Sequence, residues 1–311
     1  AMPELRRLGY DDRLSTGSVA AGGSLGILIP PSIPFVIYAL IAEQSVPKLF
    51  AAGLIPGLLL TALYMVAARG MIAWKPDWAP RDNSNPGWRA RLADLFASWD
   101  VMLLFAVTIG GLYAGWFSPT EAAAVGAFGA LAIGVVRGQL NLAAIRASFG
   151  ETIATTCMLF VIVICAMLFS YFVVQTSLPA VLVGWAKAWN LGPIGLIIVL
   201  IVFYIILGCF LDGLGMILIT VPVFLPLVLA SGFDPIWFGV MLVILIELGL
   251  IHPPVGMNIF VIQAQVPDVP ILRVYQGILP FLLAPAVLLV LMLVFPEIAL
   301  WLPNTLFPSP K

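Results

Sequence analysis

The chain is 311 residues long, 62% hydrophobic and 9% charged, with a formal net charge of −1. Soluble domains carry about 25% charged residues, so a water-soluble globule is excluded, and without a dense Lys/Arg block so is a nucleic-acid-binding protein. Several apolar runs reach the roughly 20 residues that cross a bilayer, which excludes a lone signal peptide or anchor.

Apolar runs predict helices over 15–41, 50–72, 98–117, 119–137, 152–175, 192–210, 213–230, 235–264 and 271–297, an all-α polytopic membrane protein. The first helix carries Gly22, Gly23 and Gly26 followed by Pro30-Pro31. Glycine weakens a helix and proline removes an N–H donor, so carbonyls are freed and the helix breaks over Leu25 to Pro31. Inside a bilayer freed carbonyls persist only where protein, water or an ion satisfies them, so such a break marks a cavity. Carbonyl oxygens suit a hard cation such as sodium, and half-helix N-termini suit a carboxylate.

After the second helix comes the largest basic loop, with Trp74, Trp78, Trp88 and Trp99 around it as an expected interfacial belt. The stretches 88–98 and 140–151 are amphipathic and are expected to lie along the membrane surface. Ser118-Pro119-Thr120-Glu121 reads as a capping box opening the 119–137 helix. Cys157, Cys165 and Cys209 form no C-x-x-C pair and are expected to be buried hydrophobes. The 39-residue apolar stretch 192–230 contains a Gly-rich turn, Gly208 to Gly215, with Asp212 and Gly213 at its centre, and is expected to fold as a hairpin. Asp212 serves either an ion or substrate site at the hairpin tip or simple capping of the second arm. The helix 235–264 repeats the broken design over Leu248 to Pro254, and Glu247, one turn earlier, is either a neighbour of a ligand or a partner for a freed N–H.

An internal repeat links the two broken helices at an offset of 223 residues. Leu25-Gly26 and Pro30-Pro31 fall on Leu248-Gly249 and Pro253-Pro254; Pro3, Gly9, Tyr10 and Asp11 fall on Pro226, Gly232, Phe233 and Asp234. If the hairpin adds no net crossing, four crossings separate the repeats and they enter from opposite faces, the inverted-repeat arrangement with its site at the midplane. The expected organisation is residues 1–72 as the C-terminal part of a first repeat, 73–97 as a cytoplasmic loop or arm, 98–303 as a second repeat and 304–311 as a tail. Eleven of the 14 basic residues fall on one side, with Lys48, Lys187 and Lys311 on the other, which makes the first side cytoplasmic. Subtracting 223 from 192 gives a position before Ala1, so a first copy of the hairpin is expected to precede this chain.

Gly22-Gly23-Ser24-Leu25-Gly26 also satisfies G-x-S-x-G, and His252, the single histidine, lies in a membrane segment. An intramembrane serine protease would need Ser24 beside His252. The repeat argues against it, because it pairs Ser24 with Glu247 and His252 with Ile29.

Four stretches, from AMPELRRLGYDDRL through LGILIPPSIP, then GGLYAGWFSPTEAAAVGAFGAL, FLDGLGMILITVPVFLPLV and ELGLIHPPVGMNIFVIQ, together resemble the large membrane subunit of tripartite ATP-independent periplasmic (TRAP) transporters. The resemblance implies a sodium symporter of elevator type in a bacterial inner membrane. It further implies a small membrane subunit, a periplasmic substrate-binding protein, and small organic acids such as C4-dicarboxylates or sialic acids as substrates. No cofactor beyond the coupling ion is implied. Sodium would sit with Gly208, Gly249, His252 and Val255, and by the repeat with Gly26, Ile29 and Ser32. The hairpin tip and substrate region would draw on Asp212, Gly213, Ser24, Pro30, Pro31, Pro253, Pro254 and Asn258. Family members often have Thr where this chain has His252, whose imidazole is a poorer sodium partner and titrates near neutral pH. A membrane channel or structural protein is the alternative reading.

Overall fold

The computed structural model describes residues 1–80, 99–189, 192–253 and 256–308. The arm 88–98, Arg81, Arg89, Arg91, Pro254 and Val255 lie outside the described residues. All regular structure among the described residues is helical: α1 (Met2–Arg7), α2 (Asp12–Leu28), α3 (Ile33–Ile41), α4 (Val46–Trp74), a 3₁₀ turn (Pro76–Trp78), α5 (Trp99–Tyr113), α6 (Pro119–Val136) and α7 (Leu142–Gln175), followed by α8 (Leu178–Ala188), α9 (Pro193–Gly208), α10 (Gly213–Ala230), α11 (Pro235–Ile251), α12 (Met257–Gln265), α13 (Ile271–Val294) and α14 (Glu297–Leu306). Among the described residues six helical segments are long and apolar enough to cross a membrane, so the polytopic reading holds.

The chain divides into two compact units, residues 1–80 with 168–311, and residues 81–167. In the second unit α5 packs on α6, and Arg137 reaches Asp100 at 3.0 Å. The capping box forms as expected: Ser118 N–H donates to Glu121 Oε2 at 2.8 Å, and Glu121 N–H to Ser118 Oγ at 3.3 Å. The stretch 140–151 is no separate surface arm, because from Leu142 onward it is the first part of α7. Gly150 is its weakest helix former, and a single glycine costs about 1 kcal/mol, too little to end a 34-residue helix. Cys157 and Cys165 on α7 are exposed, against expectation, whereas Cys209 is buried. An apolar helix bathed in lipid needs no protein cover, so hydrophobicity there does not imply burial within the protein.

The larger unit is organised around α11, whose residues from Ile236 to Ile251 are all buried except Leu250. Its sequence, PIWFGVMLVILIELGLI, is apolar on every face, as a helix surrounded by others must be. Against it lie α2, α9, α10 and α13. The helices α2 and α13 approach closely at glycines: a Cβ on Gly277 would stand 2.0 Å from the Arg13 carbonyl oxygen, and one on Gly17 2.3 Å from that of Gly277. Small residues allow backbones to meet where side chains would hold them apart.

The 223-residue offset survives in three dimensions. Helices α2 and α11 each have 17 residues and start and stop at equivalent positions, 12 against 235 and 28 against 251. Each begins behind a glycine with positive φ, Gly9 at +84° and Gly232 at +87°. Each is capped by an aspartate: Asp11 accepts from the Arg13 N–H, Asp234 from those of Ile236 and Trp237. Each ends in extended backbone, Ile29 at φ −84°, ψ 124° and His252 at φ −85°, ψ 129°. After each break a helix of nine residues follows, α3 and α12.

The hairpin also forms. Its arms are α9 and α10, joined by Cys209 to Asp212. Tyr204 O–H donates to Thr220 Oγ1 at 2.7 Å, and the rings of Phe203 and Phe224 are 5.1 Å apart, so the residue farther from the turn in one arm meets the residue farther from it in the other and the arms are antiparallel.

Candidate functional site

The breaks free particular carbonyls. In an α-helix the carbonyl of residue i accepts from the N–H of residue i+4, so Pro30 and Pro31 leave Gly26 and Ile27 without helical donors, and Pro253 and Pro254 do the same to Gly249 and Leu250. The structure repairs some of this locally. Ser32, 2% exposed, donates its hydroxyl to the Ile27 carbonyl. The His252 N–H reaches the Gly249 carbonyl at 3.4 Å, a long bond.

The hairpin turn lies on the second break. A Cβ on Gly208 would meet the Gly249 Cα at 3.0 Å, and one on Gly249 the Gly208 Cα at 2.9 Å, so the two backbones touch. One turn away Gly213 sits against Ile246, with 2.5 Å available for a Cβ. Asp212, exposed at the tip, accepts from the N–H groups of Leu214 and Gly215 at 3.1 and 3.2 Å, which is the capping of the two readings left open for it. Gly256 follows the break with φ +55° and leads into α12, where Asn258 is half-buried in the first turn. Gly26, the equivalent of Gly249, has no atom within 4 Å of a Cβ position.

The two halves meet at Ser24 and Glu247, positions related by the repeat itself. The Ser24 and Glu247 side chains are both 0% exposed, with Ser24 Oγ and Glu247 Oε1 2.8 Å apart, and Tyr64 O–H from α4 donates to the same oxygen at 3.2 Å. Glu247 thus draws on hydroxyls from α2 and α4 rather than on a freed N–H. Ser24 Oγ also lies 2.8 Å from the Ala21 carbonyl. His252 faces elsewhere: its Nδ1 is 3.6 Å from Cys209 Sγ, and its ring lines an apolar groove of about 930 Å³ between α9 and α13. Ser24 and His252 therefore each have other partners, and the protease arrangement is not assembled. Pattern reading missed Tyr64 and Cys209. Tyr64 had a signal, as a hydroxyl inside a long apolar helix; Cys209 had none beyond its place at the turn.

A family model described as the DctM component of the tripartite ATP-independent periplasmic transporters matches residues 1–298. The chain is 37% identical to the C4-dicarboxylate TRAP transporter large permease protein DctM of Pseudomonas aeruginosa over 307 residues, 98% of this chain and 71% of that protein. It is 33% identical to the sialic acid TRAP transporter large permease protein SiaM of Vibrio cholerae, over 96% of this chain and 70% of that protein. To the sialic acid TRAP transporter permease protein SiaT of Haemophilus influenzae it is 34% identical, over 98% of this chain and 49% of that protein.

Proposed function

Since the chain belongs to the DctM component family of the TRAP transporters, a family of membrane permeases, we propose that it carries small organic acids across a bacterial inner membrane by sodium symport. C4-dicarboxylates and sialic acids are the substrate classes, after the relatives' names. A periplasmic binding protein delivers the substrate, and a small membrane subunit braces this one through an elevator-type movement. The observation that carries the reading is the pair of broken helices, equivalent at 223 residues, with the hairpin turn seated on the second break at Gly208 and Gly249. Sodium sits among the freed carbonyls, at Gly208, Gly249, His252 and Val255 in one half and at Gly26, Ile29 and Ser32 in the other. The substrate carboxylate lies between the halves near Ser24, Pro30, Pro31, Pro253, Pro254 and Asn258, with Asp212 and Gly213 at the hairpin tip.

The test is uptake of labelled C4-dicarboxylate or sialic acid into proteoliposomes that hold the chain with its small subunit and binding protein. Uptake driven by an inward sodium gradient is expected. Passage of solute without any gradient would sustain the channel reading and defeat this one. His252→Thr is expected to preserve or improve sodium dependence, because a hydroxyl is a better ligand for a hard cation than an imidazole; complete loss of uptake in that variant would sink this expectation.

A further inference from the structure

Three donor atoms converge where the hairpin meets the break in α11. Cys209 Sγ lies 3.3 Å from the Ile205 carbonyl, 3.6 Å from His252 Nδ1 and 3.7 Å from the Pro253 carbonyl. The thiol has one hydrogen, and the nearest acceptor is the Ile205 carbonyl four residues back in its own helix. The thiol hydrogen therefore serves one carbonyl at a time while the sulfur can accept only from the imidazole, whereas a cation seated among the sulfur, the imidazole nitrogen and the proline carbonyl engages all three.

The spacing fits one class of ion. Zinc holds cysteine sulfur at about 2.3 Å and histidine nitrogen at about 2.0–2.1 Å, and at a tetrahedral angle those bonds put sulfur and nitrogen about 3.6 Å apart. An oxygen ligand at about 2.0–2.2 Å gives almost the same separation from sulfur. The observed 3.6 and 3.7 Å match the sulfur-to-nitrogen and sulfur-to-oxygen edges of such a tetrahedron. The apolar groove that the His252 ring lines runs beside these groups.

We propose that Cys209, His252 and the Pro253 carbonyl form a binding site for a thiophilic divalent cation of the zinc class, tying the hairpin turn to the broken end of α11. Thiolate and imidazole together select such ions over sodium, magnesium or calcium. Binding exchanges the thiol hydrogen for the metal: the S–H bond breaks, a metal–sulfur bond forms and one proton passes to water, with the imidazole ligating as the neutral base and no change of oxidation state. The binding is measured without transport, although it draws on His252, which the transport reading places beside sodium. Its consequence for transport, that the ion fixes the hairpin against the break and slows uptake, rests on that reading.

Cobalt(II) is the probe, added to the purified full chain carrying a tag free of histidine. One equivalent is expected to give the sulfur-to-cobalt charge-transfer absorption of a tetrahedral thiolate site, to release one proton and to be displaced by zinc. Cys209→Ser and His252→Thr should each weaken binding by at least about tenfold, while the double variant Cys157→Ser/Cys165→Ser keeps it. Thermal unfolding in metal-free buffer establishes that each variant is folded, and if one is not, the other decides. Absence of the charge-transfer band, or its persistence in either folded single variant, overturns the site. In proteoliposomes zinc should lower sodium-driven uptake by the parent and spare Cys209→Ser. Binding without inhibition overturns the tie but not the site, and binding to a chain that shows no sodium-driven uptake overturns the transport reading instead.

Discussion

Burying a carboxyl is costly unless hydroxyls or cations surround it, and Glu247 at 0% exposure has gathered Ser24 and Tyr64 on one of its two oxygens. Glu247→Ala strips both hydroxyls of this partner and is expected to destabilise the folded chain by about 1–3 kcal/mol, read as a lower unfolding midpoint in detergent. Glu247→Gln keeps an oxygen in place and should lose much less; equal losses would mean that the hydroxyl contacts contribute little. A second residue-scale prediction concerns Arg6, which bridges Asp12 on α2 at 2.7 Å and Asp268, before α13, at 2.8 Å. Its guanidinium holds the Asp268 carboxyl below the ordinary carboxylate range. A depressed value means stability that is present above the unfolded value of about 3.9 and fades as pH falls through the folded one. Acid unfolding should therefore begin at higher pH in Arg6→Gln, and identical acid limbs for the two proteins would rule out a contribution. At this scale the sequence was half legible. The offset paired Ser24 with Glu247 as equivalents, yet equivalence does not require contact, and only the packing of α2 on α11 makes them touch.

Elements with strong punctuation were legible, and those without were not. Proline and glycine marked both breaks and the hairpin, and Ser118 with Glu121 marked the start of α6. The short helices α1, α8 and α14 escaped because six to eleven residues are too few to show a period, and prolines at 179 and 303 argued against two of them. The same scale gives a contrast between equivalent glycines. Gly249→Ala places a methyl 2.9 Å from the Gly208 Cα, so the hairpin must lift from α11, at a cost of about 1–3 kcal/mol. Gly26→Ala meets nothing within 4 Å and should stabilise α2 by up to about 0.5–1 kcal/mol. Unfolding midpoints that move in opposite directions check this, and a common direction would mean that the contact between hairpin and break has been misjudged. Gly277→Ala should be at least as damaging as Gly249→Ala, because both press on backbone that cannot rotate aside and the Arg13 carbonyl is nearer, at 2.0 Å against 2.9 Å.

For the whole molecule, composition fixed the solvent and the repeat fixed the architecture. A mean hydropathy of +1.12 leaves only a bilayer as surroundings, and the offset of 223 predicted a second helix of the same length with the same cap and the same end. What composition hid was the division of labour between lipid and protein as partners for apolar residues: the apolar part of α7 and α11 are alike in hydropathy, yet one is largely exposed and the other buried. Hydropathy reports that a residue avoids water, and lipid and protein interior answer that equally well.

The meeting of Ser24 with Glu247 is where the two repeats stop being alike. An exact two-fold arrangement would set each residue near the axis against its own equivalent. Two serines at this point could exchange hydrogen bonds, whereas two ionised glutamates would repel each other without water between them. The halves can close on each other here because one position carries the carboxyl and the other the small hydroxyl that meets it.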